Sequence, residues 1–124
     1  MRWLTLPNQK QNKYKNKKVT VNGKIFDSKK EAKRYCELIK LEQAGIIKDL
    51  ETQKKFLLLD SFKKNGKTYK QISYYADFVY FDVYLKKTIV EDVKASKYFK
   101  TEVYKLKKKL FEYKYPDLTI TEVY

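Results

Sequence analysis

The 124-residue chain contains no histidine and a single cysteine, Cys36. Without histidine there is no Ser-His-Asp or Cys-His hydrolysis, no histidine general base and no histidine-metal nuclease motif. One cysteine makes no intrachain disulfide, and one cysteine without histidine builds no zinc site of the usual kinds. A reducing cytoplasm is the expected setting. Long apolar runs are missing as well. The longest covers residues 56–59, far short of the roughly 20 residues of a transmembrane helix. Residues 1–8 carry one Arg and no apolar block of secretory length, so neither a signal peptide nor a membrane partner is expected. Acids are few, 15 Asp and Glu against 29 Lys and Arg, which leaves a net charge of +14. An enzyme made from what remains must use carboxylates, lysine, tyrosine or a hard metal ion. Mg²⁺, which takes oxygen ligands, fits that inventory. Neither haem nor a nucleotide cofactor is expected.

What is present suits one compact domain, with 43% hydrophobic residues. The charge calls for a polyanionic partner, and DNA is the expected one. No acid precedes Asp27, and residues 1–18 read as a basic arm, mobile when free, with Lys13, Lys15, Lys17 and Lys18 as nucleic-acid contacts. The domain proper is expected over residues 19–124. Val19, Val21, Asn22-Gly23 and Ile25 predict a small hairpin with a primed turn. Ser28 caps a helix over 28–44, with Ala32, Tyr35, Cys36 and Ile39 on its apolar side and Gly45 as its stop. Strands are predicted over 46–51 and 54–59, a turn over 63–67, a long aromatic strand over 69–82 and a return strand over 88–94. Thr101 caps a second helix to about residue 115, whose apolar stripe is Val103, Leu106, Leu110 and Tyr113. Pro116 ends it, and 118–123 alternates like a last strand. The fold class is α/β or α+β, one central mixed sheet flanked by helices in the order helix, strands, helix, strand.

Two neighbouring strands carry acids where a sheet core would reject them: Asp77 in YADFV, and Glu91 and Asp92 in IVEDVK. Period-2 alternation sets Asp92 and Lys94 on one face and Glu91 and Val93 on the other. A hairpin spanning 77–92 brings Asp77 and Asp92 side by side. Two such carboxylates repel unless a cation sits between them. A divalent metal resolves the conflict, acidifies a bound water and neutralises charge on a phosphate oxygen.

The spacing of Asp77 and Glu91-Asp92-Val93-Lys94 resembles the D…(D/E)-x-K signature of the PD-(D/E)XK, restriction-endonuclease-like nuclease superfamily. The blocks FDSKKEAKRY, SYYADFVY, VEDVKASK and VYKLKKKLFEYKYP together resemble a phage-encoded family of unassigned function within it. The resemblance implies a restriction-endonuclease-like core with Asp77, Asp92 and the Val93 carbonyl as metal ligands. It also implies Lys94 as the residue that positions the attacking water, and Glu31 as a further ligand or orienter, so that Glu31, Asp77, Asp92 and Lys94 form the catalytic set. Mg²⁺ is the cofactor so implied, with Mn²⁺ as a substitute. Ala76 stands where the pattern often has proline. Whether Glu91 or Asp92 is the middle acid stays open: spacing to Lys94 favours Asp92, and a bulge would exchange them.

Glu31 also completes a capping box with Ser28, a purely structural role compatible with the other. The aromatics, 12 Tyr and 7 Phe, mostly read as packing; Tyr14, Tyr98 and Tyr104 lie among lysines where bases could stack. Lys97, Lys100, Lys105, Lys108 and Lys109 are the remaining candidate phosphate contacts. The expected function is a Mg²⁺-dependent DNA endonuclease selective for branched DNA, such as a Holliday junction. It would act as a homodimer in phage recombination or replication, in the cytoplasm of a bacterial host. The alternatives are a nucleic-acid-binding protein that keeps the fold without turnover, and an RNA-associated basic protein.

Overall fold

A computed structural model describes residues 17–124. The expected contacts Lys13, Lys15 and Tyr14 lie outside the described residues. The chain divides into two compact units, one ending at Cys36 and one running Glu37–Tyr124. Elements follow in the order β1 (Val19–Val21), β2 (Lys24–Phe26), α1 (Lys29–Gln43), β3 (Ile47–Leu59), β4 (Phe62–Lys64), β5 (Lys67–Tyr69), β6 (Ile72–Asp82), β7 (Lys87–Val93), α2 (Glu102–Lys114) and β8 (Ile120–Val123). The fold is α+β with a central mixed sheet of four strands, ordered β3-β6-β7-β8. Among the described residues no helix is long and apolar enough to cross a membrane.

In the first unit, β1 and β2 form an antiparallel hairpin. Asn22 and Gly23 have φ of 51° and 78°, the pair of positive angles that a type I′ turn requires and that Asn-Gly tolerates. Ser28 caps α1 by accepting the Glu31 amide at 3.1 Å. Ala32 and Tyr35 are buried and Phe26 packs on Tyr35 with ring centroids 4.9 Å apart. Cys36, expected on the apolar side, is exposed.

The second unit takes up the chain at Glu37. Leu38 fills the buried position that the helical spacing offers one turn after Tyr35. Gly45, at φ 76°, ends α1 in a Schellman motif: its N–H donates to the Glu42 carbonyl and that of Ile46 to the Leu41 carbonyl, both at 3.0 Å. The two strands expected over 46–51 and 54–59 are one strand, β3, because Gln53 passes through φ 52° without breaking the pairing with β6. The turn expected over 63–67 is itself a small hairpin, β4 and β5, closed by Asn65-Gly66 in the same primed geometry. Strands β3, β6 and β7 are antiparallel neighbours. Strand β8 lies parallel to β7, which a hairpin cannot achieve, and α2 supplies the crossover. Tyr104 and Phe111 of α2 join Phe56, Leu58, Tyr74, Ala76, Val79, Val90 and Ile120 in one core cluster. Phe111 meets Phe56 edge-on at 5.1 Å.

The stripe expected to seat α2 does not do so. Val103, Leu106 and Tyr113 are exposed, and only Leu110 packs against the core. The helix is turned so that Tyr104 and Phe111 enter the core against the sheet, where Phe111 meets the Phe56 and Tyr74 rings edge-on.

Candidate functional site

The site is built where two strands part. The β6–β7 ladder runs from Asp82↔Lys87 to Phe78↔Glu91 and stops there. Beyond that point β6 continues along β3, with Ala76↔Lys54 and Tyr75↔Lys55, while β7 continues along β8, with Asp92↔Glu122 and Val93↔Val123. Asp77 and Asp92 occupy the first positions of the fork. Asp77 Oδ2 takes the hydrogen bond that a ladder partner would have made, accepting the Val93 amide at 2.7 Å, and the Lys94 amide goes to the Val123 carbonyl of β8 at 2.7 Å. The alternation of β6 resets at the same place, since Tyr74, Ala76 and Val79 all reach one core cluster. Opposite Asp77 stands Gln53, itself at positive φ, whose side-chain amide donates to Asp77 Oδ1 at 3.0 Å. The face that strict alternation would give Tyr75, Asp77, Val79 and Phe81 is therefore interrupted, and Tyr75 is exposed.

Asp92 is buried. Its Oδ2 accepts the Tyr74 hydroxyl at 2.6 Å and its Oδ1 lies 2.9 Å from the Lys94 ammonium. Lys94 stands 3.2 Å above the centre of the Tyr104 ring, a cation–π contact with the ring as its floor. The Tyr104 hydroxyl in turn donates to Glu122 Oε2 at 2.7 Å. Glu91, the competing middle acid, is buried on the other face and accepts the Tyr80 hydroxyl. β7 keeps a continuous register with both of its partners, so the D-x-K spacing carries Asp92, with Lys94 two residues on, to one side.

Charge at the fork is unbalanced. Burial pushes the Asp77 carboxyl up to about 6, the Asp92 charge adds to that, and the Val93 amide, Gln53 and Lys94 oppose it. Tyr74 is also pushed well above the phenol range, by burial first and then by the Asp92 carboxylate. Two carboxylates at one fork, one of them reluctant to ionise, are a donor set for a hard cation. Among the described residues no three Asp, Glu, Cys or His side chains converge on one point. A metal here would take the two carboxylates and complete its shell with backbone oxygen and water, which is the habit of Mg²⁺.

Glu31 belongs to the first unit, buried on the first turn of α1, where its amide is capped by Ser28. The lysines divide. Lys18 pairs with Asp27 at 3.0 Å on the surface, as a solvated pair does. Lys97 lies 5.4 Å over the Tyr98 ring. Lys100, Lys105, Lys108 and Lys109 line one cleft of about 490 Å³ with Tyr104, Glu112 and Glu122. Glu122 organises its floor, 3.2 Å from both Lys100 and Lys108. Burial works against its charge, yet hydrogen bonds from Tyr124, Tyr104, Lys108 and Lys100 together outweigh it and hold the carboxyl at about 2.

Tyr74, Gln53 and Glu122 have no place in a local motif. Only Glu122 leaves a trace in the sequence, an acid inside the alternating ITEV strand, the same anomaly that marks IVEDVK. Tyr104, one of the tyrosines among lysines where a base could stack, is buried and forms the floor beneath Lys94. A family model with the description "Protein of unknown function (DUF1064)" matches residues 11–124. No curated protein and no solved structure matches the chain.

Proposed function

This chain belongs to the DUF1064 family; from its own residues we propose that it is a Mg²⁺-dependent DNA endonuclease of the PD-(D/E)XK kind, with a restriction-endonuclease-like core. The observation that carries the reading is the meeting of Asp77, Asp92 and Lys94 where β6 and β7 part. The order of helix, three antiparallel strands, crossover helix and parallel strand supports it.

Asp77, Asp92 and the Val93 carbonyl are the groups that would hold the metal. Mg²⁺, or Mn²⁺ in its place, supplies an acidified water and a positive charge for the phosphate oxygens. Lys94 holds its ammonium between Asp92 and the Tyr104 ring, where it would orient the attacking water and offset negative charge gathering on the phosphoryl oxygens. Water adds across the P–O3′ bond, leaving a 5′-phosphate and a 3′-hydroxyl. The lysine cleft holds the flanking phosphates through charge, without reading bases. Contacts made through backbone charge select by shape and not by sequence, and branched DNA, such as a junction in phage recombination or replication, is the substrate class we propose.

The test is cleavage of labelled four-way junction, fork, linear duplex and single strand by wild type and Asp92→Asn, with Mg²⁺ or with EDTA. Junction cutting that needs both Mg²⁺ and Asp92 is expected. Cutting that survives Asp92→Asn would sink the mechanism. The lysine cleft stands without help from the fork, and this favours one second reading, a DNA-binding protein without turnover. Binding of every substrate with no cutting in Mg²⁺ or Mn²⁺ would establish that reading instead.

A further inference from the structure

The connection between β3 and β6 is a second basic surface, separate in sequence from the lysine cleft. Among the described residues its strands, β4 and β5, pair only with each other. Residues 59–71 are all exposed. No acid lies between Asp60 and Asp77, whereas Lys63, Lys64, Lys67 and Lys70 all fall there. None of these four lysines has an ion-pair partner among the described residues. The register opposes Phe62 to Tyr69 and Lys64 to Lys67. Alternation puts both pairs on one face, with Lys63 and Thr68 on the other. The Phe62 and Tyr69 rings stack at 4.8 Å with 12° between their planes, yet they stay 43% and 41% exposed. Lys67 holds its ammonium 5.3 Å from the centre of the Tyr69 ring. Like charges set directly opposite destabilise a ladder, and a two-stranded ladder has no further strand to compensate them.

We propose that this face of the β4–β5 hairpin binds an unpaired stretch of DNA, with a base stacked on the Phe62–Tyr69 pair and phosphates held by Lys64 and Lys67. Four ammonium groups with no carboxylate paired to them select a polyanion. The rings select among polyanions. Exposed aromatics on a strand are platforms for bases, because every base has a π-face. A base inside a duplex is already stacked on both sides, so a single strand or the open arm of a branch is what offers one. Two residues along each strand, about 7 Å, separate the ring pair from the lysine pair. A nucleotide sets its base and its phosphate at that order of distance. An acidic peptide would satisfy the lysines and leave the rings without a ligand. Eight residues lead from Tyr69 to Asp77, at most about 28 Å of chain, or roughly eight base pairs of duplex. The hairpin therefore stands within reach of unpaired bases near the phosphate that the fork would cut. The inference rests on the nuclease reading for the choice of DNA and for that placement; the binding itself needs neither metal nor turnover.

The test is fluorescence anisotropy of the full chain with a labelled oligothymidine of about 16 nucleotides and with a blunt duplex of the same length, in EDTA, across a range of salt. Phe62→Leu together with Tyr69→Leu is expected to weaken single-strand binding at least about fivefold and duplex binding less than about twofold. Lys64→Gln together with Lys67→Gln should weaken single-strand binding and flatten its salt slope by about 1.4, since each phosphate contact on a single strand counts about 0.7. Tyr69→Phe keeps the ring and should bind like wild type. A strand carrying 5-iodouracil should crosslink to Phe62 or Tyr69 of the wild-type chain on irradiation, a mark that a merely structural ring pair would not leave. Circular dichroism checks that each variant is folded. Single-strand binding indifferent to either double replacement, equal losses on both DNAs from the ring change, crosslinks confined to other residues, or polyglutamate competing as well as oligothymidine would each overturn the inference. A wild type that binds the single strand through these residues and never cuts any DNA would remove the nuclease reading and leave the hairpin's role in place.

Discussion

Asp77 titrates near 6 because burial strips water from its carboxylate, with the Asp92 charge beside it adding to the rise. An acid raised from 3.8 to about 6 on folding stabilises the fold below about pH 3.8 and loses that contribution as pH rises through 6. In metal-free protein at neutral pH its ionised form therefore opposes folding. Asp77→Asn is expected to stabilise the metal-free chain by about 1–2 kcal/mol near pH 7.5, with the advantage gone near pH 3.5. The same change is expected to lower cleavage by at least about 100-fold. Thermal melts at the two pH values, run beside the cleavage assay, check both halves. A variant no more stable than wild type at the higher pH would show that the carboxylate carries no such strain. The Tyr104 ring beneath Lys94 makes a second residue-scale prediction. Tyr104→Leu removes the cation's floor and should cost about tenfold in cleavage, and Tyr104→Phe, which keeps the ring, should cost less. Equal losses from both would place the effect in the hydroxyl bond to Glu122. Asp77, Asp92 and Lys94 were legible in the sequence because charge inside a β-branched run is an anomaly visible within six residues. Tyr74, Gln53 and Tyr104 were not, since each bonds a residue 18 to 24 positions away and looks like ordinary strand or helix filling.

Strand β8 and helix α2 are tied by one carboxylate. Glu122 accepts from Tyr104, Lys108 and Tyr124 and pairs with Lys100, so that the last strand holds the crossover helix in place. Its folded value of about 2 lies below the ordinary 4.5. The sign is opposite to that of Asp77: the stabilisation is complete above about pH 4.5 and fades as pH falls towards 2. Glu122→Gln should therefore cost about 2 kcal/mol at neutral pH and almost nothing near pH 2. Urea unfolding at several pH values measures this, and a cost that stayed constant with pH would show that packing, not charge, makes the link. The placement of α2 is the element where sequence and structure part. Its stripe of Val103, Leu106, Leu110 and Tyr113 has the regular spacing of a core face, yet Tyr104 and Phe111 took the core, with only Leu110 of the stripe beside them. Spacing shows that a helix is amphipathic, but the volume the sheet leaves to be filled decides which face goes in.

The molecule as a whole presents a +14 chain with four lysines around one cleft. DNA affinity should fall steeply with salt, with a logarithmic slope near −0.9 for each phosphate contacted. Replacing Lys105 and Lys109, two lysines of the cleft, by Gln should flatten that slope by roughly 2 and weaken all DNA sequences alike. Binding measured from low to moderate salt on two unrelated duplexes tests it. A slope unchanged by the double replacement would move the phosphate path elsewhere on the surface.

Local chemistry alone determined a good deal here. The Asn-Gly turns, the Ser28, Thr101 and Gly45 helix ends and the two acid-bearing strands follow from residues a few positions apart, because backbone angles, caps and alternation are short-range effects. The absence of histidine limited the chemistry before any fold was known. Tertiary structure decided the rest. It parted β6 from β7 so that Asp77 could take the Val93 amide, buried Tyr104 and Phe111 in preference to the stripe, and gathered four lysines around Glu122. Each of these depends on which distant surfaces meet, and that is set by the volume and charge of partners that no local window contains.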